Sequence, residues 1–277
     1  MITVSTTKRI VLLGKTGSGK SSLANTIIGE EETFTTNHSP NSGTIICQTE
    51  TRSVNGRSIN LIDTPGFFDA NRSEEDMKPE ILSCITECAP GPHAFLIVLK
   101  VEKFSEQEQD VIRKILQYFS EDALKYAVIV FTHGDQLPKG KTIQEFVSQN
   151  KNLSDLNKQQ KNYRSNQSQV EDLLNTIDKL VMENNGGYYT NKMLQTVEEE
   201  INIEAGHIKL SSGHLSPEEV RKQAKTIVSD RFLVSLAGTA TGALLGAFFG
   251  LAGMSVALLG SFMDFYVLLM QICVSSL

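Results

Sequence analysis

The sequence predicts an α/β fold built on buried parallel strands, followed by a C-terminal hydrophobic helical membrane segment. Three observations predict it. Residues Gly14 to Ser21 read Gly-Lys-Thr-Gly-Ser-Gly-Lys-Ser and stand between an apolar strand-like run and a helix-like run. Two later apolar runs end in polar residues suited to chemistry, Asp63-Thr-Pro-Gly66 and Thr132-His-Gly-Asp135. From Phe232 to Met263 there is no charged residue at all.

The run Arg9-Ile-Val-Leu-Leu13 is rich in β-branched residues, as a strand covered on both faces requires. Residues 22–28 carry Leu23, Ile27 and Ile28 at helical spacing, so a strand feeds a glycine-rich loop straight into a helix N-terminus. Such a loop turns successive backbone N–H groups onto a phosphate, and the first helical turn favours the same negative charge. Gly14, Lys15, Thr16, Gly17, Ser18, Gly19, Lys20, Ser21 and Ser22 are therefore candidate nucleotide-binding residues. Lys20 is placed to reach the β- and γ-phosphates, and the Ser21 hydroxyl to ligate Mg²⁺. A Gly-rich turn before an ordinary helix is the bland alternative, and both flanks argue against it.

Residues 44–54 read as a strand and 58–63 as a second, ending at Asp63. An Asp there can hold a Mg²⁺-bound water, and the Gly66 amide can meet a γ-phosphate, which would make the following segment a nucleotide-dependent switch. Alone, Asp-Thr-Pro-Gly is a plain turn; behind a phosphate loop the switch is the better reading. Residues 74–88 and 105–118 read as helices, and 94–99 and 126–131 as buried strands. At the end of the last of these, Asp135 is the candidate specificity residue. A strand-end carboxylate accepts both the N1–H and the exocyclic amine of guanine, a pairing that adenine does not offer. Thr132 precedes it, and the His133 imidazole either stacks on the base or is a solvent-exposed loop histidine.

Taken together, the phosphate loop with Ser22, Ser42-Gly-Thr44, Asp63-Thr-Pro-Gly-Phe-Phe-Asp69, Glu102-Lys-Phe-Ser-Glu106 and Phe131-Thr-His-Gly-Asp-Gln-Leu137 resemble the immunity-associated GTPases. That is the GTPase IMAP or AIG-type family, related to the septins and the chloroplast outer-envelope import GTPases. The resemblance covers about residues 5 to 195. It implies a Ras-like P-loop GTPase domain, GTP and GDP binding with Mg²⁺, and nucleotide-controlled homo- or hetero-dimerisation across the switch regions. It also implies Thr44 as the switch hydroxyl that meets Mg²⁺ and the γ-phosphate, with Thr36 a second contact. The residues alone do not choose among Thr35, Thr36, Ser39, Ser42 and Thr44. The implied metal ligands are Ser21, Thr44 and Asp63.

Two departures stand against the family pattern. Its sixth strand should fall between Asp135 and the helix near Val170, yet residues 141–169 scatter Ile143, Phe146, Val147, Leu153 and Leu156 among Lys, Asn, Gln and Ser. A sheet lacking the sixth strand, with weakened guanine affinity, is expected. After Gly66, where Ras-like enzymes place a Gln to orient water, this chain has Phe67. No catalytic residue is assigned, and at most slow hydrolysis of GTP is expected. Lys103 reads equally as a weak charge donated in trans to a partner's site and as a solvated surface charge.

Residues 170–182 carry Leu173, Leu174, Ile177 and Leu180 at helical spacing, and Asn184-Asn-Gly-Gly187 ends that helix. The expected organisation is a G domain over 1–187, a helical extension or linker over 188–231, and a membrane anchor over 232–277. Residues 189–205, with Glu198, Glu199 and Glu200, suggest a largely solvated helix. About 20 helical residues cross a bilayer core, so the uncharged run is long enough to span. Gly238, Gly242, Gly246 and Gly250 give it a seam of small residues. A single span from 232 to about 254 and a two-pass hairpin that puts Asp264 near mid-membrane both stay open. Arg221, Lys222, Lys225 and Arg231 precede the run and no basic residue follows, which keeps the G domain in the cytosol.

With 26 basic and 32 acidic residues the formal net charge is −6, and no basic patch suggests nucleic acid. Cys47, Cys84, Cys88 and Cys273 form no metal or disulfide framework, and the strand beginning by Lys8 leaves no room for a signal peptide. Three functions compete. The first is a membrane-anchored GTP-binding switch or scaffold. The second is a pseudo-GTPase interaction module with impaired nucleotide binding. The third, an ATPase or small-molecule kinase, is disfavoured by Asp135.

Overall fold

Strand β1 (Lys8–Leu13) lies in the middle of a six-stranded sheet of order β2-β3-β1-β4-β5-β6. The computed structural model describes residues 7–30, 32–36, 47–66, 73–102, 115, 118–137, 145–146, 166–250 and 266–269. β2 (Gln48–Val54) and β3 (Arg57–Asp63) form an antiparallel hairpin. Its turn is Asn55-Gly56, both at positive φ, the pairing that a two-residue hairpin turn favours. β1, β3, β4 (Ala94–Lys100) and β5 (Ala127–Thr132) run parallel. Residues 10–13, 94–99 and 127–132 are buried throughout, which matches their unbroken apolar runs.

Helices cover both faces. On one face, α1 (Lys20–Ile28) and α4 (Asn166–Glu183) bury Leu23, Ile27, Leu173, Leu174 and Ile177 against Ile10, Leu12, Leu96, Val98 and Val130. On the other, α2 (Glu74–Cys88) packs against the sheet and is itself covered by α5 (Lys192–Ser211) and α6 (Pro217–Ser235). The short α3 (Glu121–Leu124) precedes β5. Ser73, Asn191 and Ser216 each accept a backbone N–H in the first turn of their helix, and Ser216 with Glu219 completes a capping box.

The helix expected to be largely solvated has a buried face instead. Leu194, Val197, Ile201 and Ile208 of α5 enter the core, while Glu198, Glu200 and Glu204 pair with Arg221 and Arg231 of α6. Glu198 takes a two-pronged pairing from Arg221 at 2.6 and 3.1 Å, and Lys225 reaches Glu87 of α2 at 2.8 Å.

One expectation is corrected, that of a sheet lacking its sixth strand: β6 (Tyr266–Leu269) pairs parallel with β5, from Val128–Tyr266 to Phe131–Leu269. It comes from the far end of the chain, where an uncharged Tyr-Val-Leu-Leu run suits a sheet edge. Among the described residues of 140–168 there is no strand, and most of that stretch lies outside them.

The membrane span expected from 232 to about 254 is not confirmed by the described residues, which end at 250 in this stretch. Helix α6 ends at Ser235, the chain turns through Gly238 at φ 88°, and α7 (Thr241–Phe248) has eight residues. Eight residues make about 12 Å of helix against about 30 Å of hydrocarbon. Among the described residues no helix is long and apolar enough to cross a membrane. The apolar side chains of α7 find protein instead, with Leu244, Leu245, Phe248 and Phe249 buried. Phe249 stacks on Phe119 at 4.5 Å, and Phe95 meets Phe119, Tyr189 and Phe248 edge-on.

Candidate functional site

The ends of β1, β3 and β5 converge on the loop between β1 and α1. Gly14 leaves β1 so close to β4 that a Cβ there would sit 2.4 Å from the Val98 carbonyl oxygen. The loop then turns through Lys15 to Gly19, with the Ser18 N–H donating to Lys15 O at 3.2 Å. Lys20 opens α1 and is buried, its ammonium donating to the carbonyls of Gly14 and Lys15 at 3.1 Å each. The expected cradle residues Gly14 to Ser22 are therefore brought together, with Lys20 drawn across the mouth of the loop.

At the end of β3, Asp63 is fully buried. The Ser21 hydroxyl donates to its Oδ2 at 2.5 Å, and its Oδ1 has no hydrogen-bond partner. Burial pushes this carboxyl above its ordinary value, opposed by the Lys20 charge and the Ser21 hydrogen bond. A buried carboxylate oxygen left unpaired beside a hydroxyl oxygen is the donor set a hard divalent cation takes. The residues present fit Mg²⁺, which would be held by Ser21 and Asp63. Thr44, the third expected ligand, lies outside the described residues, as do Phe67 and Lys103.

Gly66 is brought onto the loop. A Cβ there would lie 2.3 Å from Thr16 Oγ1 and 2.7 Å from its backbone N, so only glycine allows this approach. Between them, the buried Thr64 hydroxyl donates to Leu12 O at 2.6 Å and fixes the turn to β1. Thr36 is half-buried in the segment between α1 and β2, next to Thr35, whose N–H donates to Gln48 Oε1 at 3.0 Å.

At β5, the buried Thr132 hydroxyl donates to Ser18 O at 2.7 Å, joining the end of that strand to the loop between β1 and α1. His133 follows in the left-handed region at φ 56°, its Nδ1 3.1 Å from Thr132 Oγ1. Burial, and then the Lys100 charge, hold that imidazole below its ordinary pKa, so it is a neutral ring at pH 7. Asp135 stands exposed in the 3₁₀ turn 134–136, with its carboxylate in solvent.

Two contacts beside the site escaped the sequence reading. Glu102 takes Lys15 at 2.8 Å and Lys100 at 3.5 Å, bridging the phosphate loop to the end of β4. Asn25 clamps Phe34 from both sides, its amide donating to Phe34 O at 2.9 Å and its carbonyl accepting from Phe34 N at 2.7 Å. An amide side chain in the apolar stripe of α1 was the signal for the second.

The AIG1 family model matches residues 8–207. Immune-associated nucleotide-binding protein 7 of Arabidopsis thaliana is 31% identical over 228 residues, which cover 76% of this chain and 73% of that protein. GTPase IMAP family member 8 of Homo sapiens is 32% identical over 194 residues, covering 66% of this chain and 29% of that protein. Among solved structures, Toc33 from Arabidopsis thaliana in complex with GDP and Mg²⁺ is 23% identical, with a TM-score of 0.40 over 70% of this chain and 67% of that one.

Proposed function

The chain belongs to the AIG1 family, and on that premise we propose that it is a GTP/GDP-binding switch or scaffold that uses Mg²⁺ and hydrolyses GTP slowly. The observation that carries the reading is the Ser21–Asp63 pair beneath the phosphate loop, with one buried carboxylate oxygen left to a cation. When bound, Mg²⁺ would neutralise phosphate charge there. The glycine loop and the α1 N-terminus hold the phosphates, and Lys20 leaves its carbonyl partners for them. Asp135 reads the guanine edge, and the neutral His133 ring supplies a flat surface beside it.

Dimerisation across the switch regions is part of the proposal, drawn from the family resemblance. Its sign is a mass that doubles with GTP and not with GDP. Attachment to a membrane, with the G domain on the cytosolic side, is also proposed. It is supported by the uncharged residues 232–240, where Val234 is 78% exposed. Co-sedimentation of the whole chain with liposomes tests it.

Calorimetry of the full chain with GTP, GDP and ATP in the presence of Mg²⁺ tests the central reading. Tight, guanine-selective binding that is lost in Asp135→Ala supports it. A folded chain that binds no nucleotide is instead a pseudo-GTPase interaction module. Equal binding of ATP overturns the assignment of Asp135.

A further inference from the structure

The strand beside β5 is β6, and its position in the ladder ties the C-terminal region to the nucleotide site. β5 has two edges. Its inner edge is held by β4 over six residue pairs, from Phe95–Ala127 to Lys100–Thr132, and Val101 N donates to Thr132 O at 2.9 Å just beyond. Its outer edge pairs with Tyr266–Leu269, and the last pair, Phe131–Leu269, falls one residue before Thr132. Without that pairing the outer N–H and C=O groups of β5 would form a bare sheet edge.

The residues at the end of β5 have demanding tasks. Thr132 must hold its hydroxyl on Ser18 O, His133 must keep a left-handed backbone, and the 3₁₀ turn must present Asp135. Each depends on where the last residues of β5 sit, and the outer ladder is one of the two strand pairings that place them.

We propose that β6 is a positioning element for base recognition, so that residues 266–269 set the guanine selectivity of a site whose reading residues lie at 132–135. The inference rests on the guanine-nucleotide reading above. It assigns to the C-terminal strand a role in specificity, with no contact to the nucleotide required.

Successive N–H groups of a strand point to opposite sides, so of Val267 and Leu268 one donates toward β5 and the other points away. Val267→Pro and Leu268→Pro in the full chain therefore form a pair with its own control. The affinity ratio for GDP over ADP is expected to fall about tenfold or more in the inward-facing variant, with ADP binding kept within about threefold. The outward-facing proline and Val267→Ile keep the unmodified ratio. Prolines that both leave the ratio unchanged overturn the proposal. So does an equal loss of GDP and ADP, because that is the mark of a structural role alone.

Hydrogen exchange on the unmodified chain is the second measurement, and it decides the matter if the inward proline prevents folding. Protection of 266–269 together with 128–131 is expected. Rapid exchange across 266–269 sinks the proposal. If the unmodified chain binds no nucleotide, the function reading has failed, and exchange still reports separately on whether β6 is docked.

Discussion

The Ser21 hydroxyl donates to the Asp63 carboxylate at 2.5 Å, joining the first turn of α1 to the end of β3. This contact sets a hydroxyl and a carboxylate oxygen side by side below the phosphate loop, the pair proposed above to hold Mg²⁺. Ser21→Ala is expected to weaken nucleotide binding about tenfold or more in Mg²⁺ and by less than about threefold in a chelator. Calorimetry in both buffers checks this, and equal losses would remove Ser21 from the cation site.

Burial disfavours the charged form of the Asp63 carboxyl, opposed by the Lys20 charge and the Ser21 hydrogen bond. With its folded pKa raised above the unfolded value, the ionised carboxylate detracts from stability at neutral pH, and the penalty shrinks as pH falls toward the unfolded pKa. Asp63→Asn keeps an acceptor for Ser21 and removes the charge. Its thermal midpoint at pH 7 is expected to rise in the nucleotide-free protein while Mg²⁺-dependent binding is lost. A lower midpoint would show that the attraction of Lys20 outweighs desolvation.

At the opposite end of the sheet, His93 is 5% exposed and its Nδ1 accepts the Arg9 N–H at 2.9 Å. Burial, with the Arg9 and Lys8 charges, lowers its pKa from 6.5 to about 4. Between those values the unfolded chain takes up a proton that the folded chain refuses, so stability falls as pH drops through that window. The loss reaches about 3 kcal/mol at its full extent. Urea unfolding between pH 7 and 4 should show this slope, and His93→Gln should flatten it. An unchanged slope in the variant assigns the acid sensitivity elsewhere.

Removing the Thr132 hydroxyl leaves Ser18 O without its donor in a buried place. Thr132→Val is expected to cost roughly 1–3 kcal/mol in chemical denaturation and to weaken nucleotide binding as well. A stability loss with unaltered nucleotide affinity would make the contact purely structural.

Cys84 and Cys88 are fully buried in α2, and desolvation pushes both thiols up. Neither is expected to react with iodoacetamide at pH 8 in the native protein, and both should react in urea. Mass spectrometry of the peptides reads the result. Native labelling of either would mean that α2 opens from the sheet.

The phosphate loop, β1, β3, β4, β5 and α2 were legible because their signals are local: unbroken apolar runs for strands covered on both faces, and glycines where backbone meets backbone. Gly14 against Val98 and Gly66 against Thr16 are that logic in atoms. The features that stayed hidden depend on partners distant in sequence. The stripe of Leu194, Val197, Ile201 and Ile208 is visible in the sequence, but α2 as its covering surface is not. An uncharged run looks the same to a periodicity argument whether lipid or protein receives it. Phe248 and Phe249 found Phe95, Phe119 and Tyr189, and the glycine at 238 serves as a turn where a helix seam was expected.

β6 also bears on the order in which the molecule assembles. Val128 and Tyr266 are farther apart in sequence than the partners of any other pair of neighbouring strands, whereas β2 and β3 meet across two residues. Closing a longer loop costs more chain entropy before any contact rewards it. Loop length alone therefore favours the hairpin first, then the β4–β5 pair ahead of the β1 pairings, and covers the outer edge of β5 last. Until then that edge is open to any other extended segment, so the protein is most prone to misassociate late in folding, with its phosphate loop already built.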